Sequence, residues 1–117
     1  MKQVSCPTEI TLSIISGRWK AMVIYWLLKG ERRFNQLQRE LVTITHRTLA
    51  RQLREMEEAG LVERRDHGTI PPRVDYSLTP LGRSLEPVLL AMHHWALEHG
   101  DALQREDEQS SGAARAG

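Results

Sequence analysis

The chain has a single cysteine, Cys6, so it cannot form an internal disulfide, and the pattern fits a reducing compartment. It also lacks a long hydrophobic run. No apolar stretch approaches the roughly 18 residues that a membrane-spanning helix needs, and M-K-Q-V-S-C-P at the start contains no signal-peptide core. A cytoplasmic protein with no membrane partner is expected. No internal repeat is visible. A nucleophile spaced from a base, a phosphate-cradling glycine loop and a metal-ligand set are all missing as patterns, so neither an enzyme nor a cofactor is expected. The histidines near the end, His93, His94 and His99, offer only His94 and Glu98 at i and i+4, with no H-x-x-x-H, so no metal site is expected. At 117 residues there is enough chain for one core and little more.

Net charge is almost absent too, at +1, but its distribution is uneven. Between Arg18 and Arg54 nine Lys or Arg stand against two acids, a local excess of seven positive charges. A solvated surface accounts for many such stretches, but this asymmetry suggests a polyanionic partner.

The most informative segment is T-H-R-T-L-A-R-Q-L-R-E-M-E-E-A-G, 45 to 60. At helical spacing Leu49, Leu53 and Met56 fall on one face and Arg47, Arg51 and Arg54 on the other, with Glu55, Glu57 and Glu58 in the second half. Thr45 suits the N-cap and Gly60 the left-handed position past the C-terminus. Such a helix has the form of a recognition helix that enters the major groove. Before it, Asn35 is expected to cap a helix over Gln36 to Leu41, and a turn over Val42 to Ile44 completes a helix-turn-helix. Further upstream, E-I-T-L-S-I-I-S reads as a short first helix stopped by Gly17, and Arg18 to Lys29 as a largely apolar second helix ended by Gly30. Arg32 to Phe34 is long enough only for a minimal strand.

After Gly60, L-V-E-R-R-D-H and V-D-Y-S-L alternate with period two around H-G-T-I-P-P-R and predict a β-hairpin, with Arg64, Arg65 and Arg73 near its base. Helices followed by such a hairpin predict a winged helix. Thr79 then caps a last helix with Pro80 in its first turn, and Pro87 should kink it or start a second segment. Its stripe of Leu81, Leu85, Val88, Leu89, Met92 and Trp95 is more apolar surface than a domain this small hides, which predicts a homodimer. Ile10 and Ile14 of the first helix are expected to join Leu85, Val88, Leu89, Met92 and Trp95 in that interface. From about Arg105 the sequence loses its period, so residues 1–104 are expected to form the DNA-binding and dimerisation domain and 105–117 a disordered tail. The fold class is thus mainly α with a small β-hairpin, a winged helix-turn-helix dimeric through its terminal helices.

Roles follow from the face on which each residue falls. Arg47 and Arg51 are placed to read or grip DNA, since arginine makes bidentate contacts to guanine. Arg54 suits a phosphate contact or an ion pair with Glu58. Thr45 and His46 suit phosphate at the helix start, although His46 suits packing against the preceding turn as well. Arg18 and Lys20 suit the DNA backbone or plain solvation, and Thr69 and Arg73 a wing contact. Trp19 and Trp26 are most simply core or interface residues. The partner expected is double-stranded DNA; a winged helix used as a protein interaction module without sequence-specific DNA binding is the alternative.

Taken together, C-P at 6 and 7, G-R-W-K at 17 to 20, R-R-F-N-Q-L at 32 to 37, T-L-A-R-Q-L-R-E-M-E-E-A-G-L-V at 48 to 62 and P-P-R-V-D-Y-S-L-T-P-L-G-R-S-L at 71 to 85 resemble the HxlR-type winged helix regulators of bacteria. The resemblance spans roughly Cys6 to Trp95, with Arg18 where the family usually has lysine. It implies a dimeric transcription factor on a palindromic operator that responds to a small-molecule effector or a redox signal. It also implies that Cys6 is a sensor of electrophiles or oxidants, for which a thiolate favoured by the adjacent helix start is required. A buried packing cysteine is the alternative.

Overall fold

The computed structural model describes the backbone of residues 6–116 and side chains for residues 6–103. The chain divides into two units between Glu86 and Pro87. The first contains α1 (Pro7–Ile15), α2 (Lys20–Leu28), β1 (Arg32–Arg33), α3 (Phe34–Leu41), α4 (His46–Glu58), β2 (Val62–Asp66), β3 (Val74–Leu78) and α5 (Pro80–Arg83). The helix α6 (Glu86–Ala116) makes up the second.

Pro7 opens α1 at a position where a missing amide costs nothing, with Cys6 as N-cap. The second helix begins at Lys20, two residues later than expected, with Trp19 in the N-cap position. Val23, Ile24 and Leu27 of α2 are buried against a core that also takes Leu37 and Leu41 of α3, Ile44 of the turn, Leu49, Leu53 and Met56 of α4, and Leu61, Val62 and Leu78 of the sheet. At the far end of α2, Lys29 lies 4.8 Å from the ring centres of both Tyr25 and Trp26, a cation–π contact with each.

Asn35 is not the cap of α3. The strand β1 runs straight into the helix, leaving Arg33 extended at the cap position, and its amide donates to Gln36 Oε1 at 3.0 Å. A glutamine three residues into a helix supplies this half of a capping box. For α4 the expected caps hold. Thr45 Oγ1 accepts from the Thr48 amide at 3.1 Å. At the other end Gly60 adopts φ +78°, its amide donating to Glu57 O at 3.0 Å and that of Leu61 to Met56 O at 2.9 Å, the paired bonds of a Schellman motif.

The expected hairpin is part of a larger sheet. β3 pairs antiparallel with both β2 and β1, giving the order β1-β3-β2, with Arg32 opposite Tyr76 and Arg33 opposite Asp75 on one side and Val62 opposite Leu78 on the other. The start of α5 is bound tightly to the end of α4. Thr79 donates its amide to Leu61 O at 3.0 Å and its hydroxyl to Gly60 O at 2.6 Å, while its Oγ1 accepts from the Gly82 amide. Gly82 passes so close that a methyl group there would collide with the Leu61 carbonyl oxygen.

α5 stops at Arg83 and α6 starts at Glu86, with Pro87 in its first turn, so the proline begins a second segment. Along α6, Leu90, Met92, Trp95, Leu97 and Leu103 are exposed large apolar residues, and the Trp95 ring lies 5.1 Å from that of His99. The expected disordered tail, 105–117, lies outside the residues whose side chains are described. No helix among the described residues is long and apolar enough to cross a membrane.

Candidate nucleic-acid interface

The two faces of α4 are separated almost completely. Leu49, Leu53 and Met56 are at most 1% exposed, whereas Thr45, His46, Arg47, Arg51 and Arg54 are all exposed. Arg47, Arg51 and Arg54 line a shallow groove of about 380 Å³ with Glu55 and Glu58. This charge order runs against the helix dipole, which favours acids in the first turn and bases in the last; α4 has neither. Positive charge placed at the wrong end for helix stability indicates a use outside the helix. Arg54 makes no ion pair with Glu58 among the described residues, so the ion-pair reading gives way to an outward-facing guanidinium.

The start of α4 is held by its neighbours. The His46 ring packs on Phe34, 4.5 Å between centres, and not on the preceding turn as expected; the contact joins the first turns of α3 and α4. The Thr45 hydroxyl donates to Thr48 Oγ1 at 2.9 Å, so its proton is already used. Thr48 was missed from sequence: its own hydroxyl proton has no acceptor among the described residues, and it lies a turn into the helix.

Arg18 and Lys20 reach the same region from the start of α2. Arg18 lies 4.5 Å over the Trp19 ring and donates to Thr43 Oγ1 at 3.2 Å, across the turn between α3 and α4. Lys20 pairs with Glu55 at 3.0 Å, fixing α2 to the second half of α4. Arg33, Asn35, Gln36 and Arg39 line a second groove of about 380 Å³ at the start of α3; no periodic signal in the sequence singles them out, because only the apolar face of α3 has a pattern.

In the wing, the His67 amide donates to Arg73 O at 2.9 Å, the Gly68 amide to Asp66 Oδ1 at 2.9 Å, and the Thr69 hydroxyl to Pro71 O at 3.0 Å. Ile70 at the tip is 99% exposed. Arg64 and Arg65 are exposed on β2. Asp75, also missed from sequence, is 5% exposed and receives His67 Nε2 at 2.8 Å, Arg73 Nη2 at 3.5 Å and, more distantly, Arg33 Nε at 3.9 Å. The hydrogen bond from His67, reinforced by Arg73, holds its carboxyl below the usual carboxylate range despite burial. The available signal is an acid two residues past an arginine, with that arginine and a histidine at the two ends of one loop.

Cys6 is exposed in the chain, which rules out the buried packing cysteine as far as the chain alone is concerned. The Thr8 hydroxyl, then the amides of Thr8 and Glu9, lower its thiol pKa. Of the residues expected to dimerise, Ile10, Met92 and Trp95 are exposed, Ile14, Leu85 and Val88 half-buried, and Leu89 at 7% exposure has little surface left to offer. Among the described residues no three His, Cys, Asp or Glu converge where a metal ion could sit.

The profile of the HxlR-like helix-turn-helix proteins matches residues 14–104. The HTH-type transcriptional regulators YybR and YdeP of Bacillus subtilis are each 44% identical to this chain, over 85% and 86% of it and 79% and 78% of their own lengths. Among solved structures, the redox regulator HypR in its reduced form is 43% identical with a TM-score of 0.82, covering 86% of this chain and 99% of that one. The reduced form of the transcriptional regulator YodB from B. subtilis is 33% identical with a TM-score of 0.71, covering 80% and 92%.

Proposed function

The chain belongs to the HxlR-like helix-turn-helix family of transcriptional regulators, and from that membership we propose that it acts as a homodimer placing two copies of α4 in successive major grooves of a palindromic operator. The observation that carries this reading is α4 itself: an apolar face sealed in the core, and three arginines on the other face where helix stability alone would not put them. Arg47 and Arg51 read base edges; Arg54, His46 and Arg18 hold phosphate, and Thr69 and Arg73 meet the flanking DNA. Lys20 serves mainly to fix α4 through Glu55. The exposed apolar residues of α6 support the homodimer. Regulation here involves no catalytic step, and the site of action is the cytoplasm, where operator DNA is found. The interaction-module alternative is not favoured, because the relatives are HTH-type transcriptional regulators.

Arg51→Ala tests the core of this reading. Specific affinity for a duplex selected by the parent protein from a random-sequence pool should fall by an amount worth about 1–3 kcal/mol, with relaxed preference at the contacted base pair. Equal binding by parent and variant at matched salt would remove Arg51 from the interface.

A redox signal is the effector best supported, since one similar protein is the redox regulator HypR and Cys6 is an exposed thiol with a lowered pKa. Hydrogen peroxide, which oxidises a single thiolate to the sulfenic acid and is itself reduced to hydroxide, should release the parent from its duplex and leave Cys6→Ser bound. Release of both would exclude Cys6 as the switch.

A further inference from the structure

The wing is a loop whose two ends meet on one buried carboxylate. His67 begins the loop and Arg73 ends it; both donate to Asp75, one at 2.8 Å and the other at 3.5 Å. Arg33, in register with Asp75 on β1, faces the same group from the other side of β3. The loop thereby acquires a clamp in addition to its backbone bond from His67 to Arg73. A carboxylate this buried is retained only with partners, and each partner is in turn oriented by it.

We propose that Asp75 is a positioning residue for operator binding: by closing the two ends of the wing on itself and facing β1, it fixes the direction in which Ile70 and Arg73 approach the DNA beside each half-site. The inference rests on the DNA-binding reading above. Its physical basis is preorganisation. A loop already held in its bound direction gives up less conformational freedom on binding than a loose one. Arg73 is 50% exposed in its side chain even while paired, so it can bind phosphate without leaving Asp75. The Asp75 carboxylate is stabilised in its charged form chiefly by His67, so the clamp persists at neutral pH.

Charge alone predicts the opposite outcome to positioning, and this separates the two. If Asp75 were merely a negative charge near a polyanion, neutralising it would strengthen binding. If it positions the wing, Asp75→Asn should weaken binding to the duplex selected by the parent protein by about tenfold, the cost of ordering a few side chains afresh. Hydroxyl-radical protection should disappear outside the half-sites while the protection given by α4 remains, and the urea midpoint should stay near that of the parent. Should Asp75→Asn fail to fold, His67→Phe deletes only the 2.8 Å bond from a ring that is already partly exposed, and should show the same flank-specific loss. His67→Gln, which keeps a donor, should restore most of it. Binding by a folded Asp75→Asn, or by His67→Phe, that is equal to or tighter than the parent overturns the assignment, as does a loss spread evenly over half-sites and flanks. A parent that selects no duplex at all overturns the DNA-binding reading and the assignment together.

Discussion

Cys6 owes its chemistry to its place at the cap of α1 and not to any charged neighbour. Its neighbour Thr8, through its hydroxyl first and then its amide, favours the charged form of the thiol and lowers its pKa. The sign of the consequence is fixed. A lowered thiol pKa means that the reactive thiolate appears at lower pH than in an unstructured peptide. Alkylation by iodoacetamide, followed by mass across a pH series, should therefore reach half its maximal rate below the ordinary thiol range. Thr8→Val removes the largest contribution while keeping the side-chain shape, so its midpoint should move up toward that range. A midpoint that did not respond to Thr8→Val would mean that the helix amides alone set the thiol. This differs from the buried cysteine that a lone apolar-looking thiol suggests, because exposure and capping depend on where α1 begins.

The element that controls the start of α4 is the turn before it, and that turn is strained. Val42 has φ +63° and ψ −70°, and the Thr43 amide donates to Leu41 O at 2.8 Å, so the chain makes a γ-turn of the rare kind with positive φ. A β-branched residue fits this region badly, at a cost of about 1–3 kcal/mol, whereas glycine fits it at an entropic cost of about 0.5–1 kcal/mol. Val42 is 78% exposed, so deleting its side chain forfeits little burial. Val42→Gly should then raise unfolding free energy by about 1 kcal/mol, read from urea midpoints at constant slope. A lower midpoint would mean that valine is accommodated there without strain. Neither the strained residue nor its turn type could be read from the sequence, because V-T-I carries no glycine or asparagine to mark a positive φ. What could be read was governed by local rules. The face of α4 follows from the spacing of Leu49, Leu53 and Met56, and its ends from Thr45 and Gly60; the break before α6 follows from Pro87. What could not be read depends on distant chain. The two residues of β1 have no pattern until β3 lies beside them, Lys20 and Glu55 are 35 residues apart, and Asp75 becomes a clamp only when the hairpin closes. Asn35 failed as a cap for the same reason, since the strand before α3 decides where that helix begins.

At the scale of the whole molecule, near-neutral charge conceals a division of labour along the chain. The excess of seven positive charges lies between Arg18 and Arg54, while α6 presents Leu90, Met92, Trp95 and Leu97 to solvent. One stretch suits phosphate and the other suits a second copy of the chain, and the proposed function needs both at once. A monomer that grips one half-site gains no advantage from a palindrome. Two joined half-site binders gain an effective local concentration worth about 10²–10⁴ in affinity without any new contact to DNA. Trp95 is 56% exposed, and aromatic residues dominate the energetics of such interfaces. Trp95→Glu should therefore convert the dimer to monomer at micromolar concentration in sedimentation experiments. It should leave the helical circular dichroism of the chain intact and lower affinity for a two-half-site duplex by at least about tenfold, while affinity for a single half-site stays nearly the same. A variant that stays dimeric would place the interface elsewhere, and a parent that sediments as a monomer would sever the link between the apolar helix and the operator. The single half-site is the deciding control, because a general loss of folding lowers both affinities and a loss of pairing lowers only one.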